Sequence, residues 1–238
     1  MPLACSLPPR SGAAAPNSSS DRKNTLLMAG PQQYTTPLGA PVASINDTLA
    51  SLRQATAGQH ARIESLVGLG GPFGRGHYGR VLQGFGAFLH GWEPAVARTL
   101  PRQLLPWFAR GRRAFLIDRD LAALGLPALG PEAAVVPHLE DRADALGSLY
   151  VMEGAALGGQ LIAANLRHRL RIDADNGGAY FNGCGSGTAA RWREYRSLAQ
   201  SQLEDDARAR ARAADAAVRT FEALIATFET LLDERAAA

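Results

Sequence analysis

The spacing of apolar side chains changes character at about residue 45. Residues 1–44 are rich in Pro, Gly, Ala and Ser and show no period. Such a composition buries too little apolar surface to order itself, so these residues are expected to form a disordered tail. Met28 is an alternative start. Beyond it the period is helical. Leu49, Leu52, Thr56, His60, Ile63 and Val67 fall on one face, with Asn46 or Asp47 placed to cap the helix and Ile45 to staple it. A glycine-rich break from Gly68 to Gly76 precedes a second stripe of Tyr78, Val81, Leu82, Phe85, Leu89 and Trp92. Pro94 should kink or restart that helix.

A third helix is expected over about 104–121, then a loop from Gly125 to Pro137 that holds three prolines. A long helix over about 139–170 follows. Asn176 to Gly187, with five glycines, should be a loop. A helix over 189–203 and a last one burying Val218, Phe221, Ile225, Phe228 and Leu232 complete the pattern. No period-2 strand and no internal repeat is visible. The expected fold is all-α, a multi-helical bundle of six to eight helices in one domain over residues 45–238.

Composition narrows the function classes. The chain has 238 residues, 46% of them hydrophobic, enough for a buried core. Its net charge of +3 rests almost wholly on arginine, Lys23 being the sole lysine. No basic stripe with interleaved aromatics marks a nucleic-acid binder. No apolar run reaches the length of a membrane span, and the first residues lack a secretory signal pattern. Two cysteines, Cys5 and Cys184, with one in the tail, make a disulfide framework unexpected and suit a reducing compartment. Cytoplasm is the expected location.

Several motifs are missing. Gly68-Leu-Gly-Gly-Pro-Phe-Gly lacks the third glycine of a GxGxxG, and no strand pattern precedes this glycine-rich break; no Walker, GxSxG, CxxC or CxxCH sequence occurs, and no paired Glu-x-x-His of a di-iron bundle. Of five histidines, His60 alone sits in the middle of an apolar stripe, and so should point inward. A satisfied core histidine is the competing reading. Its neighbours argue otherwise. Glu64, at i+4, can reach the imidazole and orient its other nitrogen toward a metal. Arg53 lies two turns back on the same face, about 10 Å away, where it can meet a carboxylate of a large flat ligand.

The long helix carries the second constellation, Tyr150-Val-Met-Glu-Gly-Ala-Ala-Leu-Gly-Gly-Gln160. Gly154, Gly158 and Gly159 each cost about 1 kcal/mol in a helix interior relative to alanine. Gly147, Gly154 and Gly158 share a face, so something should approach that backbone closely. Tight helix packing and a flat ligand both satisfy this. With His60 on one helix and the glycines on another, the two constellations suggest a sandwich.

Leu52-Arg-Gln-Ala-Thr-Ala-Gly-Gln-His60-Ala-Arg-Ile-Glu64 resembles the proximal helix of heme oxygenases. Leu149-Tyr-Val-Met-Glu-Gly-Ala-Ala-Leu-Gly-Gly-Gln160 resembles their distal helix. The bacterial branch, including members associated with bacteriophytochromes, is the most similar, and Trp192 after the loop Tyr180-Phe181-Asn-Gly fits that branch. The resemblance covers roughly residues 46 to 235. It implies His60 as the iron ligand and Glu64 as the carboxylate on its other nitrogen. It implies Arg53 facing a heme propionate and Gly154, Gly158 and Gly159 as the distal glycines. Tyr150 counts with the heme-contacting positions, and Arg193 or Arg196 would supply a further basic contact.

Ala155 departs from the pattern, since mammalian-type members carry an aspartate there that organises water. On this resemblance heme is cofactor and substrate, opened by O2 to biliverdin, CO and iron. Electrons would come from an external reductase or ferredoxin, and a bacteriophytochrome is a candidate acceptor of the biliverdin. The other classes are a non-catalytic heme carrier or sensor, a non-heme enzyme of the same fold, and a helical interaction protein.

Overall fold

In the computed structural model, which describes residues 45–233, eight α-helices and no strand occur among the described residues. They are α1 (Ile45–Val67), α2 (Arg75–Thr99), α3 (Leu105–Arg110), α4 (Ala114–Ala123), α5 (Arg142–Leu170), α6 (Ala179–Asn182), α7 (Thr188–Leu203) and α8 (Ala207–Asp233). The expected tail over 1–44, and the capping side chains of Asn46 and Asp47, lie outside what is described.

α8 is the central element. Its buried face runs from Ala213 through Phe221 to Phe228, and both α1 and α5 pack along it. The alanines of its first half permit close approach. A Cβ built on Gly147 of α5 would stand 1.9 Å from the Ala213 carbonyl oxygen, so Gly147 answers to helix packing and to no ligand. Beside it, the Thr220 hydroxyl donates to Ser148 Oγ at 2.7 Å, which also accepts the Trp92 indole N–H at 2.7 Å. This buried polar triad ties α2, α5 and α8 together, and every group in it has a partner.

Two boundaries differ from expectation. The third helix is two, α3 and α4, broken at Gly111, Arg112 and Arg113. Buried Glu93 of α2 explains the break. Its Oε1 accepts the N–H groups of Arg113 at 2.6 Å and Ala114 at 3.0 Å, and its Oε2 accepts Arg112 Nε at 2.7 Å. A carboxylate from another helix thus satisfies the free donors that start α4. α2 itself continues through Pro94 to Thr99.

The glycine-rich stretch 176–187 contains a helical turn, α6, which sequence reading took as loop. Asp120 of α4 accepts the N–H groups of Ala179 and Tyr180 at 2.8 and 2.7 Å and so fixes α6. Cys184, expected outside any disulfide, is disulfide-bonded, with its partner outside the described residues. The cysteine count therefore no longer argues for a reducing compartment. Among the described residues no helix is long and apolar enough to cross a membrane.

Candidate active site

α1 and α5 share α8 as a floor and are tied to each other at two places. At one end the Tyr150 hydroxyl of α5 lies close enough to Thr56 and Arg53 of α1 for both to act on its ionisation. At the other, the Asn165 amide of α5 donates to the carbonyls of Leu69 and Gly70, just past α1, at 3.2 and 3.3 Å. The two helices therefore run in the same sense. Between the ties lies about 20 Å of helix at 1.5 Å per residue.

His60 occupies this interval on α1. Leu52, Thr56, Ile63 and Val67 of its stripe are buried, yet the His60 side chain is 49% exposed. The expectation that it points inward is corrected on this point. One face of the ring packs edge-on against Phe221 of α8, at 5.8 Å between centroids and 79° between planes; the rest is open. An imidazole exposed in the middle of a buried stripe has a surface left largely uncovered by the described residues.

Nδ1 of His60 faces Glu64 Oε2 at 3.6 Å. That is ion-pair range and longer than a hydrogen bond. Both side chains are exposed, so a small rotation closes it. Nε2 is the nitrogen left for a ligand.

On the opposite side, the glycines of α5 divide into two kinds. A Cβ at Gly159 would meet the Phe181 carbonyl oxygen of α6 at 2.9 Å, so Gly159, like Gly147, admits a neighbouring backbone. Gly158 has nothing within 4 Å of that position, and Gly154 meets only the Trp192 ring at 3.8 Å, an ordinary contact. Gly158 therefore spends helix stability on a space that stays open. Ala155 is exposed beside it, and Leu161, one turn on, is 59% exposed. Exposed apolar surface on a helix otherwise embedded in the core is the mark of a missing partner.

Tyr150 is half-buried, and burial pushes its hydroxyl pKa above the ordinary tyrosine value, against the opposing effect of Thr56 and Arg53. Arg53 is exposed at the mouth of this end, and Arg193 and Arg196 are exposed on α7, which also touches α1. The structure brings His60, Glu64, Arg53, Tyr150, Gly154 and Gly158 to one interval; Gly159 backs it from the α6 side. Sequence reading passed over Thr56, Phe221 and Trp192 as site elements. Thr56 stood in the stripe of His60 and Phe221 in that of α8, but only the packing of α1 on α8 shows that they meet the site.

The other histidines have separate duties. A ring nitrogen of His77 bonds the Val67 carbonyl at 2.7 Å, and His90 pairs with Asp118 at 2.8 Å. Among the described residues no three His, Cys, Asp or Glu side chains gather as a metal cluster. The described residues thus define a helical protein with an exposed histidine on α1 and uncovered glycine backbone on α5, two helices that both pack along α8.

Comparison with known proteins names the class. The family model described as heme oxygenase matches residues 132–230. The chain is 32% identical over 164 residues to a heme oxygenase of Xanthomonas campestris pv. campestris, covering 67% of this chain and 93% of that protein. It is 30% identical over 137 residues to heme oxygenase PigA of Pseudomonas aeruginosa, covering 57% of this chain and 69% of that protein. Its fold matches the NO- and CO-bound heme oxygenase of Neisseria meningitidis with a TM-score of 0.64 and 18% identity, covering 81% and 94% of the two chains. The chain belongs to the heme oxygenase family, on its bacterial side.

Proposed function

We propose that heme binds between α1 and α5 with His60 as the residue that would hold its iron, and that the chain acts there as a heme oxygenase. What supports this is an exposed imidazole, His60 of α1, and an uncovered glycine, Gly158 of α5, on two helices that pack along the same α8. Heme, which is the substrate, supplies the iron that activates O2 for the opening of its own ring to biliverdin, CO and iron. The residues present fit it. One nitrogen ligand is available, no cluster of protein ligands competes, and an iron that arrives in a porphyrin brings its equatorial donors with it.

The chain's own residues then have distinct tasks. Glu64 holds the imidazole through Nδ1 and raises the basicity of Nε2. Phe221 supports the ring from below. Gly154 and Gly158 let a flat ring lie against helix backbone where a Cβ would hold it away. Arg53 and the Tyr150 hydroxyl offer paired donors for a carboxylate at one end, with Arg193 or Arg196 of α7 adding charge there. Ala155 contributes no proton donor, so ordered water on that side is held by backbone. Electrons come from a separate donor, a reductase or ferredoxin, since the chain has no flavin or nicotinamide motif; a bacteriophytochrome would be a fitting acceptor of the product.

Purified protein mixed with hemin should develop a Soret band, which decays under air with ascorbate or a ferredoxin system as a broad red biliverdin band grows. A Soret band that persists under these conditions would reduce the protein to a heme carrier. No Soret shift at all would overturn the heme reading.

A further inference from the structure

The strip of open backbone on α5 is covered at one end. The Trp192 ring lies 3.8 Å from the Cβ position of Gly154, whereas Gly158, a turn further on, meets nothing. We propose that Trp192 is the stop that limits how far a porphyrin slides along this strip, and thereby sets which meso edge lies over Gly158. The proposal rests on the heme reading above and assigns specificity within it.

Trp192 is held for this role from both sides. Its ring stacks on Tyr195 at 5.3 Å and 22° and tilts onto Tyr150 at 6.0 Å. Tyr195 is itself buried and anchored by its hydroxyl donating to the Leu146 carbonyl at 2.9 Å. The residue before Trp192 is locked to the residue before Gly154. Arg191 donates through Nε and Nη2 to both oxygens of Glu153 at 2.7–3.1 Å, with both side chains largely buried. Its guanidinium also stacks 4.2 Å over the Trp107 ring. The 153–154 step of α5 and the 191–192 step of α7 therefore face each other as matched pairs, and a buried, bidentate ion pair fixes the backbone that carries the ring.

Packing alone does not explain the indole. Trp92 and Trp107 are core tryptophans, 3% and 9% exposed. Trp192 is only half-buried. It stands beside Tyr150, whose hydroxyl is close to Arg53. A rigid aromatic edge beside those donors fixes both a distance and an orientation for a planar ligand at little cost in side-chain entropy.

The test uses the hemin complex of the full chain, with Trp192→Ala and the milder Trp192→Phe. Hyperfine-shifted heme-methyl resonances of the ferric, cyanide-bound complex report the in-plane seating without turnover, and the biliverdin isomers from turnover report the same choice chemically. In the wild type one seating should dominate. In Trp192→Ala the ratio of seatings should change at least tenfold, with the isomer ratio moving in the same sense; Trp192→Phe should move both less, in the same direction. Should the alanine variant fail to fold, the phenylalanine variant decides. Unchanged seating and isomers in the variants, whatever happens to their melting temperature, would overturn the assignment and leave Trp192 a packing residue. Failure of the wild type to form a hemin complex would overturn the heme reading instead, and is seen before any variant is made.

Discussion

The Tyr150 hydroxyl on α5 and the Arg53 guanidinium on α1 stand close enough across the two helices that Arg53, with Thr56, opposes the upward push burial gives the phenol's pKa. This contact closes one end of the slot with a phenol and a cation, the donor set a carboxylate recognises. Arg53→Ala should weaken hemin binding roughly five- to tenfold, the modest value expected for an exposed charge. Tyr150→Phe should weaken it less. Hemin titration followed at the Soret band checks both; equal affinity in all three proteins would remove this end from the site.

The pattern of the sequence carried the helix order and the core, because the apolar stripes of α2 and α8 repeat at helical spacing and the breaks fall at glycine and proline. It also placed His60 in the apolar stripe of α1 and the glycines within α5, though not the exposure of the imidazole. It did not carry the α3–α4 break or α6. Both are set by carboxylates from distant helices, Glu93 and Asp120, whose role as caps exists only once α2 and α4 are packed. Nor did it separate the glycines by purpose. Gly147 and Gly159 admit neighbouring backbones and Gly158 meets none of the described residues, a distinction that depends on what lies opposite each.

That distinction is measurable. Gly158→Ala should stabilise the ligand-free protein by up to about 1 kcal/mol, the helix propensity gain with no clash to offset it, while weakening hemin binding. Gly147→Ala should do the reverse to stability. Its methyl would collide with the Ala213 carbonyl and force α5 from α8, at a cost of roughly 1–3 kcal/mol or more. Thermal or denaturant unfolding of the two variants without hemin decides; a destabilised Gly158→Ala would mean that its neighbourhood is packed after all.

Arg191 is predicted to matter through Glu153. Arg191→Met would leave Glu153, which is almost fully buried, without its bidentate partner. Stability should fall by about 3 kcal/mol or more. The double variant Arg191→Met with Glu153→Gln should recover part of that loss, since no unpaired charge is then buried. Chemical denaturation of the single and double variants measures the coupling, and additive losses would contradict it.

Asp144 gives the fold an acid limit. Burial favours its neutral form, but the Glu140 N–H, Arg212 and Arg219 together hold its carboxyl below the ordinary aspartate value of 3.8. A lowered folded pKa means that its stabilisation is present above that ordinary value and is lost as pH falls through the folded one. Asp144→Asn should therefore lower stability at neutral pH by about 2 kcal/mol and flatten the pH dependence below about pH 4. An unchanged acid limb in stability measured against pH would show that other carboxylates set it.

The central claim is that His60 is the ligand through which the chain holds heme. The most direct measurement is the spectrum and turnover of the hemin complex of His60→Ala, with and without added imidazole. The expected result is loss of the wild-type Soret position and of biliverdin formation, both restored when imidazole occupies the vacated place beside Phe221 and Glu64. A His60→Ala protein that binds hemin with the wild-type spectrum and forms biliverdin at the wild-type rate without imidazole would contradict the account.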